Sequence, residues 1–234
     1  KSIAIMQPYF MPYIGYFQLI NAVDEFVVYD NIKYTKKGWI NRNRYLLNNT
    51  ESTFSIPLKK DSDWKDIVDR TISDDFDNKK FLRQIESAYR KAPFFIEIIP
   101  LIEEIILFED KNLFEFILFS LKRLCSILEI RTDIIISSSL DIDHSLKSQN
   151  KVLEICKNLK AESYINLSGG IDLYDHNTFD DHNVTLKFIS SQQIEYKQFN
   201  NEFIPSLSIL DLLMFNSKPT IIDFLNKVNI LDGT

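Results

Sequence analysis

The chain has 234 residues, 45% of them hydrophobic, and a formal net charge of −6 at pH 7. That length and apolar content support a sizeable core and exclude a disordered chain. The acidic balance argues against a nucleic-acid partner, and five glycines exclude glycine-rich phosphate loops as a main theme.

Ser2-Ile-Ala-Ile-Met6 reads as a buried strand. The apolar run breaks at Gln7-Pro8 without a small-residue cleavage site, so no signal peptide is expected. No run reaches the roughly 18 apolar residues of a transmembrane segment, and the expected location is cytoplasmic. Residues 14–22 suit a short helix and 26–29 a second strand. Residues 44–48 and 53–58 read as a hairpin turning at Asn48-Asn49. The polar stretch 61–80 reads as a surface excursion, and 79–91, 94–107 and 112–129 as helices. Strands are then predicted at 133–137, 163–166 and 184–189, with a helix at 147–159. Two helices, 207–216 and 219–228, close the pattern, with Pro219 suited to a helix start. Cys125 and Cys156 lie among apolar residues and are expected to be buried thiols of a reducing compartment. The predicted class is α/β: a single domain over 1–234, with a mostly parallel sheet, flanking helices and a helical insert at about 79–129. A Rossmann-like or HUP-like sheet is the specific expectation.

Open α/β sheets keep ligands at the carboxyl ends of their strands. Gln7, Tyr9, Phe10, Tyr13, Gly15 and Tyr16 follow the first strand there. Aromatic faces with hydroxyl rims suit a base or sugar ring; the alternative is an aromatic plug that packs loop onto core. The slot Tyr13-Ile-Gly15-Tyr16 has a formal likeness to the His-x-Gly-His motif of a nucleotidyltransferase class. Both histidines are missing, which counts against adenylyl transfer. Asp30 ends the second strand as a candidate base or orienter. Lys37, Trp39, Asn41 and Arg42 belong to a local basic stretch suited to a diphosphate plus a ring, or else to a solvated loop. Ser138 follows the strand at 133–137, and Ser168-Gly169-Gly170-Ile171-Asp172 follows the one at 163–166. The paired glycines permit close approach or positive φ, and Asp172 and Tyr174 follow with side chains free to enter a site. His144, His176 and His182 lack the spacing of a helical metal pair, so no metal site is expected. Ser208 and Asp211 have capping-box spacing at a packed terminal helix.

As a set, these residues resemble the WbqC-like family. The likeness rests on Ile3-Ala-Ile-Met-Gln-Pro-Tyr-Phe-Met-Pro-Tyr-Ile-Gly-Tyr-Phe17, Phe26-Val-Val-Tyr-Asp30 and Lys36-Lys-Gly-Trp-Ile-Asn-Arg-Asn43. It is extended by Tyr164-Ile-Asn-Leu-Ser-Gly-Gly-Ile-Asp-Leu-Tyr-Asp175 and Phe203-Ile-Pro-Ser-Leu-Ser-Ile-Leu-Asp211. Met11 stands where the family tends to show a second Phe. The resemblance implies bacterial surface-polysaccharide (O-antigen) biosynthesis and glycine transfer to the amine of a nucleotide-linked (dTDP or UDP) amino sugar. No bound cofactor is implied; the donor would be an acyl or aminoacyl thioester of coenzyme A or an acyl carrier protein. In that chemistry Asp30, Asp172 or, behind them, His182 would be the base. Gly169, Gly170 or Asn41 would face the oxyanion, and Lys37 and Arg42 the diphosphate. The rival readings are a nucleotidyl- or glycosyl-transferase and a non-catalytic nucleotide-sugar-binding scaffold protein.

Overall fold

Short runs of β-branched residues bounded by turn formers make strands buried on both faces, as parallel sheets require. In the computed structural model, which describes residues 1–200 and 202–232, these are β1 (Ser2–Met6), β2 (Glu25–Val28), β5 (Asp133–Ile136), β6 (Ser163–Leu167) and β7 (Thr185–Ser191). All five are parallel; β8 (Val228–Asp232) pairs antiparallel with β7 at the edge. The sheet order is β5-β2-β1-β6-β7-β8. The strand order thus reverses between β1 and β6, as in doubly wound, Rossmann-like sheets.

Alternation along each strand divides two apolar layers. Ala4, Phe26, Val28, Ile165 and Ile189 face one layer, with α1 (Ile14–Asn21), α7 (Ile209–Phe215) and α8 (Lys218–Leu225). Ile3, Ile5, Val27, Tyr164 and Phe188 face the other, with α5 (Ser148–Asn158) and α6 (His176–Asp181). The expected helical insert is α2 (Asn78–Tyr89), α3 (Phe95–Ile106) and α4 (Leu113–Ile127), and its apolar residues join the first layer. Asp77 and Asn112 cap α2 and α4, their side chains accepting from Lys80 N and Glu115 N. Among the described residues no helix is long and apolar enough to cross a membrane.

The hairpin forms from β3 (Arg42–Leu47) and β4 (Thr50–Ser55). Asn48 and Asn49 turn it with φ of 51° and 61°, which Asn tolerates and primed turns demand. Three elements differ from expectation. The stretch 61–80 is not simply a surface excursion: Ile67, Arg70 and Ile72 are buried, and Thr71 and Ile72 bridge to Asn112 and Leu58. The last helix stops at Leu225, and the chain turns into the edge strand β8. A short helix, α6, fills the segment before β7.

Ser208 caps α7, its hydroxyl accepting from Leu210 N. The capping box does not form, because the carboxylate of Asp211 is engaged elsewhere. Its Oδ1 accepts from Tyr89 Oη (2.9 Å) and its Oδ2 from Tyr196 Oη (2.7 Å) and Gln198 Nε2 (2.9 Å). Burial holds the Asp211 carboxyl above the usual range, opposed by these three donors. Tyr89 Oη in turn accepts from Leu46 N, tying α2, α7 and the hairpin together. Tyr89→Phe strands two buried polar groups at about 1–3 kcal/mol each. The expected loss is about 2–4 kcal/mol in urea unfolding; a loss below about 0.5 kcal/mol would contradict this assignment.

Candidate functional site

The carboxyl ends of the strands meet at the point where the order reverses. The β1–β2 ladder runs to Met6↔Val28, whereas the β1–β6 ladder covers only Ser2↔Ser163 and Ile3↔Tyr164. The loop after β1 and the segment after β6 leave the sheet on either side of this point.

The loop after β1 divides its aromatic residues. Phe10, Met11 and Tyr16 are fully buried. Tyr16 Oη donates to Gln7 O at 2.8 Å, and Phe10 packs edge-on to Phe54. Asn43 Nδ2 (2.9 Å) and Ser208 Oγ (2.7 Å) both donate to Met11 O. Phe10 and Tyr16 therefore offer no face to a ligand: the apolar layer uses them, which corrects the expectation of ring stacking at both. Tyr9 and Tyr13 remain half-buried, with hydroxyl pKa values raised by burial. The Tyr13 ring lies over Gly15, where any Cβ would collide with it. Gly15 thus serves the ring above it rather than a ligand.

Behind this loop, the ends of β2 and β5 hold a buried polar cluster. Asp30 is 0% exposed. Its Oδ1 accepts from Ser138 N at 2.9 Å, and its Oδ2 is buried with no hydrogen-bond partner among the described residues. Asn31 accepts from Ser137 Oγ at 2.9 Å and gives its amide to His144 Nδ1 at 2.8 Å. His144 Nε2 faces Leu140 O at 3.0 Å; this network fits the tautomer with the proton on Nε2. Lys151, 1% exposed, reaches His144 O at 3.2 Å and His144 Nδ1 at 3.3 Å, 5.3 Å from the Tyr29 ring centre. Burial, then Lys147, lower the Lys151 pKa, opposed by Asp66, Asp30 and Asp143. The cluster joins Asp30 and the Ser138 amide, both expected, to His144 and Lys151. Lys151 shares the α5 stripe with Val152, Ile155 and Cys156; a lysine on an apolar stripe was the legible signal.

The segment after β6 is a 3-10 helix, Ser168–Leu173. Neither Gly169 nor Gly170 has positive φ, so that reason for the pair does not hold. Gly169 instead faces open space, with nothing within 4 Å of an added Cβ, while at Gly170 a Cβ would meet Asn166 Nδ2 at 3.3 Å. The leading N–H groups of such a helix have no partner within it and point outward. Tyr174 is not free: its hydroxyl meets Tyr164 Oη at 2.9 Å and Asn166 Nδ2 at 3.0 Å. Asp172 is exposed. His182 stands at the opposite end of the strands: two residues on, Val184 leads into β7, whose Thr185 N bonds Glu162 O, and Glu162 N bonds Lys1 O. At the amino ends of the strands it cannot act with Asp30, which corrects its candidacy as a base.

The basic stretch is mostly self-engaged. Arg42 Nε and Nη2 bond Gly38 O (2.9 Å) and Lys37 O (2.6 Å). Asn41 Nδ2 bonds Ile56 O at 2.7 Å and its Oδ1 accepts from Tyr34 Oη at 2.8 Å, which ties the side chain into the hairpin base. Trp39 lies under Arg42 and Arg44, with guanidinium carbons 5.2 and 5.6 Å from its ring centre, and Lys37 is exposed. Arg42 and Asn41 line a cavity of about 900 Å³ between the hairpin base and residues 57–64. Arg70, which the sequence reading passed over, lines the same cavity.

Both thiols are buried, and burial pushes each up to about 12. Neither is expected to react with a thiol reagent at pH 8 until the protein is unfolded, when both do; native labelling of either would contradict the packing. Gly169→Ala meets no atom and is expected to leave the melting temperature unchanged within about 2 °C. A drop of several degrees would show that the face is occupied by the protein itself.

Known proteins bear on this arrangement through sequence. An uncharacterized protein, Rv1507c of Mycobacterium tuberculosis (strain ATCC 25618 / H37Rv), is 31% identical over 216 residues, spanning 91% of this chain and 93% of the relative. No solved structure matches significantly. The model of the WbqC-like protein family matches residues 7–222, from the loop after β1 to α8, and the chain belongs to that family.

Proposed function

We propose that this protein is an N-acyltransferase that moves an aminoacyl group, glycyl in the favoured case, onto the amine of a dTDP- or UDP-linked amino sugar. The pathway would be bacterial surface-polysaccharide (O-antigen) biosynthesis, and the location the cytoplasm. One observation carries the reading: a buried carboxylate, Asp30, keeps a bare oxygen at the carboxyl ends of the strands, within electrostatic reach of Lys151.

The reaction joins the sugar amine to the thioester carbonyl and breaks the carbon–sulfur bond. The nitrogen must lose a proton as it attacks. Asp30 Oδ2 is the acceptor that this proposal assigns, with Oδ1 held by the Ser138 amide so that the carboxylate cannot turn away. The departing thiolate takes up a proton as the amide forms. Lys151, itself buried, feels the Asp30 charge and supplies a positive charge to the same cluster. The leading N–H groups of residues 168–170, Gly169 among them, would face the oxyanion. Tyr9 and Tyr13 would border the sugar or base. Asp172 is kept only as an exposed alternative base.

The test is incubation with dTDP- and UDP-amino sugars and a glycyl thioester, followed by mass spectrometry for the glycyl amide. Wild type is expected to form it, and Asp30→Asn, which keeps the Ser138 bond, to lower kcat about 10²- to 10⁴-fold. No product despite bound nucleotide sugar would sink the reading. Loss of product with intact function of Asp30→Asn in cells would favour a scaffold role instead.

A further inference from the structure

We infer that the cavity beside the hairpin is a phosphate-binding site centred on Arg70, for the phosphate-bearing part of a substrate. Arg70 is 4% exposed, and its Nε is buried with no hydrogen-bond partner among the described residues. Its Nη1 donates to a backbone carbonyl, Ser62 O, at 3.0 Å, and its guanidinium lies 4.7 Å from the Tyr34 ring centre. No carboxylate forms an ion pair with it among the described residues. Asp61 and Asp63 act on it only through space, without a direct contact; a buried guanidinium without a direct ion pair is a costly arrangement, and a planar fork of donors matches phosphate oxygens.

The surroundings fit an anion. Two carboxylates line the cavity, Asp61 and Asp63, and both are already neutralised: Lys65 holds Asp61 at 2.7 Å and Lys36 holds Asp63 at 2.6 Å. Lys60 also lines it and has no ion-pair partner among the described residues. A local positive basin thus sits on a chain of net charge −6. The wall is preorganised: Tyr34 is fixed through Asn41 to Ile56 O, and Arg70 stands beside bridged Thr71 and Ile72. Trp64, 80% exposed at the mouth, carries Lys33 Nζ 3.8 Å above its ring, which adds another cation to the rim.

The cavity is also tied to Asp30. Residues 30–34 run beside 65–68, with Val68 N on Asp30 O, Ile67 N on Ile32 O and Tyr34 N on Lys65 O. Tyr34 follows Asp30 by four residues, so their backbones are at most about 14 Å apart. The anion site itself stands independently of the acyl-transfer reading; only the naming of its ligand, as nucleotide sugar or phosphopantetheine donor, rests on that reading.

Calorimetric titration with pyrophosphate, UDP and coenzyme A tests it. Pyrophosphate is expected to bind, more weakly as salt is raised, with Arg70→Met weakening it at least tenfold and Arg70→Lys less. UDP binding more tightly than coenzyme A would assign the site to the nucleotide sugar, and the reverse to the thioester donor. Should Arg70→Met not fold, Lys60→Ala on the exposed rim is expected to weaken pyrophosphate about threefold at low salt. Absence of pyrophosphate binding, or equal binding by the folded Arg70 variants or by Lys60→Ala, would overturn the inference. Glycyl transfer by the same preparations would separate that failure from failure of the acyl-transfer reading.

Discussion

The carbonyl oxygen of Met11 holds the two halves of the site in register. It accepts from Asn43 of the hairpin and from Ser208 at the start of α7. Met11 itself sits at φ 45°, a conformation that costs a non-glycine residue about 1–2 kcal/mol and persists where the surroundings enforce it. Here they do: Phe10 N bonds Ile40 O, Ile209 N bonds Pro12 O, and Phe10 is sealed in the apolar layer. The loop after β1, the hairpin and α7 are thereby one assembly. The hairpin base, which borders the cavity, is fixed relative to the strand ends that hold Asp30.

Buried charged groups are satisfied to different degrees in this chain. Asp211, inside the same apolar layer, is met by two tyrosine hydroxyls and an amide, and both its oxygens are bonded. Asp30 and Arg70 are as deeply buried, yet each keeps a polar atom with no hydrogen-bond partner among the described residues. Buried polar groups are normally satisfied, and exceptions call for a reason. A satisfied carboxylate locks an interior. A half-satisfied carboxylate at strand ends and a half-satisfied guanidinium on a cavity wall are what a site awaiting an amine and a phosphate would contain. Lys151 supplies the complementary charge near Asp30, and its lowered pKa follows from the burial that excludes water from the cluster.

Much of the frame could be read from the chain. The apolar runs at 2–6, 133–137 and 163–166 are strands because both their faces are covered, and Asn48-Asn49 turns the hairpin because Asn accepts positive φ. Their ends directed attention to Asp30 and Ser138, which the fold brings together. The failures have physical causes. Aromatic composition does not show direction, so Phe10 and Tyr16, which point inward, looked like Tyr9 and Tyr13, which stay partly open. β8 is a mostly exposed edge strand without an apolar run of its own, and the preceding helix pattern hid it. Lys151 was obscured because the periodicity of α5 was scored on its apolar residues. Arg70 was obscured because its neighbours are polar and its burial comes from Tyr34 and Ser62, distant in sequence. His182 was placed with Asp30 because sequence does not show which end of a strand a preceding helix reaches.

The account's central claim is that substrate chemistry occurs at the bare oxygen of Asp30. A crystal structure with a bound dTDP- or UDP-amino sugar tests it most directly. The account predicts the sugar amine within hydrogen-bond distance of Asp30 Oδ2, with the Ser138 amide still on Oδ1. An ordered nucleotide sugar whose amine lies elsewhere, with Asp30 still sealed and untouched, would contradict it.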